Sequence, residues 1–119
     1  MTSNPFSFSP SDLRKTPRTI FRRPAILHVS ATQSIPVKTV DISQEGICVL
    51  ADLSLTAGHI CGIEFNASFD QQPLPLRLDG RVAYCVLSGP AGFRIGFHLQ
   101  NLTPIAKKHI EKIMSMQKF

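Results

Sequence analysis

The stretch LPLRLDGRVAYCV at residues 74–86, followed by SGPAG and then FRIGFHL at 93–99, constrains the fold more than any other part of the chain. In the first segment Leu74, Leu76, Leu78, Val82, Tyr84 and Val86 fall on one face of an extended chain, while Arg77, Asp79 and Arg81 fall on the other. In the second, Phe93, Ile95, Phe97 and Leu99 alternate with Arg94, Gly96 and His98. A period of two with one apolar face specifies half-buried strands, and the Gly/Pro turn between them specifies an antiparallel hairpin. Gly80 breaks the first strand and marks a bulge or bend there.

Shorter segments upstream carry the same signal. Residues 25–30 (AILHVS), 35–42 (IPVKTVDI), 47–50 and 59–66 are strand-like, with turn residues between them. Within 35–42, Val37, Thr39 and Asp41 share one face, and Val40 and Ile42 take the other. The period changes after Asn101. Thr103 is an N-cap, Pro104 suits the first helical position, and Ala106, Ile110 and Ile113 form an apolar stripe with Ile105 and His109 beside it. About six modest strands and one closing helix of about 13 residues specify a small antiparallel β-barrel or sandwich with a C-terminal helix. A Ser/Pro/Asn-rich segment, residues 1–16, reads as a flexible arm carrying Phe6 and Phe8 as candidate partner contacts, and residues 17–119 read as one domain.

At 119 residues with 43% hydrophobic side chains, the chain can bury a core. No apolar run approaches the roughly 20 residues that span a bilayer, and the N-terminus lacks the pattern of a signal peptide. A cytoplasmic protein is expected. Cys48, Cys61 and Cys85 lie in apolar segments without metal-ligand spacing and read as buried packing thiols of a reducing compartment. The four histidines are scattered. No metal site, cofactor or catalytic constellation is expected, and hence no enzyme.

The net charge is +5, and five of the 13 basic residues (Arg14, Lys15, Arg18, Arg22 and Arg23) occupy positions 14–23 without an acid among them. Such a cluster suits a phosphate-bearing partner or a solvated tail. Downstream, the segment TVDISQEGICV ends a strand in Asp41-x-Ser43-x-x-Gly46. Asp41 and Ser43, two apart, point the same way. The turn requires either simple hairpin chemistry, with both residues capping it, or one wall of a ligand site.

An Arg-x-x-x-Arg segment before the first strand and Asp-x-Ser-x-x-Gly at the end of the second together resemble the PilZ domain, the bacterial receptor module for cyclic di-GMP. The hairpin at 93–99 and the helix opening at Thr103 resemble that family's last strand and closing helix. The resemblance runs from about Arg14 to Met116. It implies that Arg18 and Arg22 clamp the nucleotide, that Asp41 and Ser43 face it from the barrel, and that Gly46 holds the turn with a positive φ. Arginine can fork onto phosphate oxygens or the guanine O6/N7 edge and can stack on a base. Arg14/Arg18 also has the required spacing, and Arg18/Arg22 is preferred for its nearness to the first strand. Arg23 directly follows Arg22. Tyr84 could stack on a guanine, as side chains of this strand do in the family, although alternation groups it with the core.

The resemblance further implies a single-domain adaptor that signals by binding a partner protein. Two other readings compete with it. One is a PilZ-like interaction module that binds no nucleotide, as in pilus assembly. The other is a small basic barrel for RNA or single-stranded DNA, disfavoured because the chain has no Trp and one Tyr to serve as stacking platforms.

Overall fold

The computed structural model describes residues 18–68 and 71–116; the arm, with Phe6, Phe8, Arg14 and Lys15, lies outside the described residues. Seven strands precede one helix: β1 Thr19–Ile20, β2 Pro24–His28, β3 Ser34–Ile42, β4 Gly46–Ala51, β5 Ile60–Asn66, β6 Pro75–Leu87, β7 Phe93–Gln100 and α1 Pro104–Met116. All pairings are antiparallel. The ring runs β3–β2–β5–β6–β7–β4 and closes because β4 also pairs with β3. A closed six-stranded barrel leaves no open sheet edge within it. The six strands are those anticipated from alternation. The extra strand β1, two residues among the arginines, adds to the far end of β3 through Thr19↔Ile42 and Ile20↔Asp41.

The inner wall is built by the apolar alternation. Leu76, Leu78 and Val82 of β6 meet Ile63 and Phe65 of β5 and Ile95 and Phe97 of β7 in one core. The helix contributes Ile110 and Ile113 to the same core. Its start is capped as expected: Thr103 Oγ1 accepts from the Ala106 N–H at 3.0 Å. Among the described residues, no helix is long and apolar enough to cross a membrane.

The alternation breaks at two places that the period alone misassigns. In β6 the register slips between Val82 and Tyr84. Beyond that bulge Cys85 packs against the core, and Val86, expected inside, is 50% exposed. The bulge is not at Gly80, which pairs regularly with Leu99 and sits on the inner face. A Cβ there would lie 2.9 Å from both Ile63 Cδ1 and Phe97 Cβ, so glycine makes room for the core. In β3 the register slips between Thr39 and Asp41. Val37, Thr39 and Ile42 are therefore the buried side chains, and Asp41 does not share the face of Thr39.

Thr39 tolerates burial because its hydroxyl both donates and accepts. Its Oγ1 donates to the Phe21 carbonyl at 2.6 Å and accepts from the Arg23 N–H at 2.8 Å. The Phe21 ring is itself buried, edge-on to Phe65 at 5.4 Å. The basic segment is thus pinned to the barrel between Ile20 and Arg22, and its flanking arginines are sent to different places.

Candidate functional site

The slip in β3 decides which residues reach the outer surface. Thr39 opposes Val49, an inner residue, whereas Asp41 opposes Cys48, whose side chain lies on the outer side of β4. Ser43 follows at the turn. Its Oγ accepts from the backbone N–H groups of Glu45 (3.2 Å) and Gly46 (3.1 Å). A hydroxyl has one donor and two acceptor positions, so the position left to Ser43 is its O–H, which has no acceptor among the described residues. Gly46 differs from the expectation of a positive φ: its backbone is not left-handed. It begins β4 opposite His98, and a Cβ would stand 2.6 Å from the Phe97 carbonyl oxygen. Close approach of the neighbouring strand is what requires glycine here.

Arg18, immediately before β1, extends over this turn. Its Nη1 lies 3.9 Å from Asp41 Oδ1, with the two side chains 31% and 18% exposed. At that separation no direct hydrogen bond joins them, so the pair is a loose one and neither partner is committed to the other. Beside it opens a cavity of about 410 Å³ lined by Arg18, Ser43, Gly46, Cys48, Tyr84 and His98, among others.

Tyr84 is not a core residue. The β6 bulge turns it outward, half-buried, against Gly96 of the next strand, where a Cβ would come within 2.2 Å of its Cε2. Its hydroxyl donates to Cys48 Sγ at 3.7 Å. Burial pushes the Tyr84 phenol upward, the adjacent thiol adds to this, and the Arg18 guanidinium opposes it. Burial likewise raises the Cys48 thiol, against a lowering by the Tyr84 hydrogen bond. Cys48 is buried, as expected of the cysteines, but beneath Tyr84 rather than within the barrel core.

Arg22 and Arg23 lie elsewhere. They line a second cavity, of about 650 Å³, with Lys38, Leu50 and Arg94. Arg23 lies over the Phe21 ring at 5.0 Å and donates to the Arg22 carbonyl at 3.1 Å. The structure therefore brings Arg18, Asp41, Ser43, Gly46 and Tyr84 together and does not bring Arg22 or Arg23 to them. Arg14 lies outside the described residues.

A PilZ domain family model matches residues 12–115. The chain belongs to the PilZ domain family. Solved structures with the same fold include the Bacillus subtilis inhibitor of motility MotI/DgrA (TM-score 0.76, 13% identity, covering 87% of this chain and 51% of that one). They also include the PilZ domain of Escherichia coli YcgR with c-di-GMP (0.66, 16%, 88% and 91%) and Borreliella burgdorferi PlzA in complex with c-di-GMP (0.64, 11%, 92% and 44%). This PilZ chain spans about half the length of MotI. At these identities the likeness is one of fold. No curated protein matches the sequence.

Two features of this PilZ domain escape sequence reasoning. One is the Gly96 seat for Tyr84. Gly96 falls on the outward face of FRIGFHL, but only the register after the bulge shows that it faces an aromatic ring. The other is that one of the histidines read as scattered is paired. His28 and Ser34 are cross-strand neighbours and Glu64 lies on the adjoining strand. Ser34 Oγ is 2.8 Å from His28 Nδ1, and Glu64 Oε1 is 2.7 Å from His28 Nε2. This chain sits on the exposed outer wall, and neither cavity touches it. Among the described residues, no group of three or more His, Cys, Asp or Glu could hold a metal ion.

Proposed function

We propose that this PilZ domain is a receptor for cyclic di-GMP that binds the nucleotide over the cavity between Arg18 and Tyr84, without turnover, and signals as an adaptor by engaging a partner protein. The observation that carries this reading is the weak Arg18–Asp41 pair at the mouth of a cavity lined by Ser43 and Tyr84. Each group offers one complementary contact. Arg18, released from Asp41 at little cost, forks onto a phosphate or a guanine edge. The freed Asp41 carboxylate accepts guanine N–H groups. Ser43, its acceptor positions taken by the turn, donates its O–H to an oxygen of the ligand. Tyr84 offers a ring face for base stacking. Arg14, four residues before Arg18, supplies the second arginine of the Arg-x-x-x-Arg pair in this reading, because Arg22 lines the other cavity.

The test is a calorimetric titration of cyclic di-GMP into the full chain, with GTP and cyclic di-AMP as controls. Selective binding at micromolar concentration or tighter is expected. An absence of both heat and thermal shift would move the chain to the reading of a protein-interaction module that takes no nucleotide.

A further inference from the structure

The second cavity calls for a partner of different chemistry. Four cations line it (Arg22, Arg23, Lys38 and Arg94) and no carboxylate does. Arg22, Lys38 and Arg94 have no acidic partner within ion-pair distance among the described residues. The floor is apolar, from Val40 and the half-buried Leu50. Strand register orders the surface: Lys38 opposes Leu50, Leu50 opposes Arg94, and Arg94 opposes Val86. Lys38 and Arg94 are thus two strand spacings apart, roughly 9.5 Å, with Leu50 between them. At the rim, Val86, which shares the outer face with Arg94, is 50% exposed.

We propose that this groove docks an acidic protein segment whose carboxylates are interleaved with aliphatic side chains. The cations alone would suit any polyanion. The apolar floor and rim decide between them, because only a ligand with aliphatic groups gains from covering Leu50 and Val86. No aromatic side chain lines the groove, so the bases of a single-stranded nucleic acid have no platform on which to stack. The proposal rests on the adaptor reading for its biological role, although the groove's chemistry does not require the nucleotide.

The groove is tested by fluorescence anisotropy with the full chain and a labelled peptide of alternating Glu and Leu. An all-Glu peptide and an oligothymidylate, each of equal charge, serve as comparisons, and every titration is run with and without cyclic di-GMP. The Glu/Leu peptide is expected to bind about tenfold more tightly than either comparison. The double variant Lys38→Glu/Arg94→Glu reverses two exposed charges and is expected to weaken it about tenfold or more, with cyclic di-GMP affinity unchanged. Val86→Ser, on the exposed rim, is expected to weaken the Glu/Leu peptide and leave the all-Glu peptide unaffected. Oligothymidylate binding as tightly as the peptide would overturn the proposal in favour of nucleic acid. Unchanged peptide affinity in the charge-reversed variant, folded by its melting curve, would also overturn it. Loss of cyclic di-GMP binding with peptide binding intact would strike the receptor reading alone and leave the groove standing.

Discussion

The two cavities draw on the same basic segment, yet they differ in kind. Around the first, one arginine meets a carboxylate, a hydroxyl with its proton free, and a tyrosine seated on a glycine. Around the second, four cations stand over aliphatic floor residues. Mixed donors and acceptors with an aromatic face can tell one small ligand from another, because each mismatch leaves a polar group unpaired. Like charges over an apolar floor select a class of partner rather than a molecule. The lesson is that the described part of the charge run, Arg18 to Arg23, is split between two cavities. Phe21, buried against Phe65, divides it.

The largest effect is expected from Arg18→Ala. Removing the charged clamp should cost about 1.5–3 kcal/mol of nucleotide affinity, roughly ten- to a hundredfold, while the melting temperature of the unliganded protein changes little. Undiminished affinity in calorimetry would show that the first cavity is not the nucleotide site. Asp41→Ala comes next. It should lower selectivity for cyclic di-GMP over cyclic di-AMP by about tenfold; equal loss for both nucleotides would count against guanine recognition by this carboxylate.

Arg22→Ala tests the division itself. Its effect on nucleotide affinity should be under about threefold. A loss as large as that for Arg18→Ala would reunite the arginines into one clamp and restore the Arg18/Arg22 pairing. The smallest effect concerns pH. Burial raises Cys48 and Tyr84 at the first cavity and Cys61 in the core. The folded state therefore holds protons that the unfolded chain releases. Stability is full below the ordinary thiol value and falls as pH rises above about 8.5. Melting curves at pH 7 and pH 10 should show this fall, and Cys48→Ala should reduce it. An identical fall in that variant would exclude the thiol as a contributor.

Much of the fold could be read without coordinates. The alternation in 74–86 and 93–99 specified the long hairpin, and Thr103-Pro104 specified the helix start. The joint Arg-x-x-x-Arg and Asp-x-Ser-x-x-Gly pattern pointed to the family. The candidate site was legible as residue types: Arg18, Asp41, Ser43, Gly46 and Tyr84 were all named. What failed was direction. Counting by twos placed Tyr84 and Val86 inside and put Asp41 on the face of Thr39. Two slips of register, after Val82 and after Thr39, reversed those assignments.

Which segments are strands, which residue types are available and where the chain turns are therefore local matters, set by period and turn chemistry. Strand pairing in the folded chain is what sets Arg18 beside Asp41, denies Gly46 and Gly96 a side chain, and joins Ser34 to Glu64 through His28. A bulge is set by how two strands match each other, and a close approach by what the neighbouring strand carries at that height. Both are properties of pairs of segments far apart in the chain, which no single stretch of sequence contains.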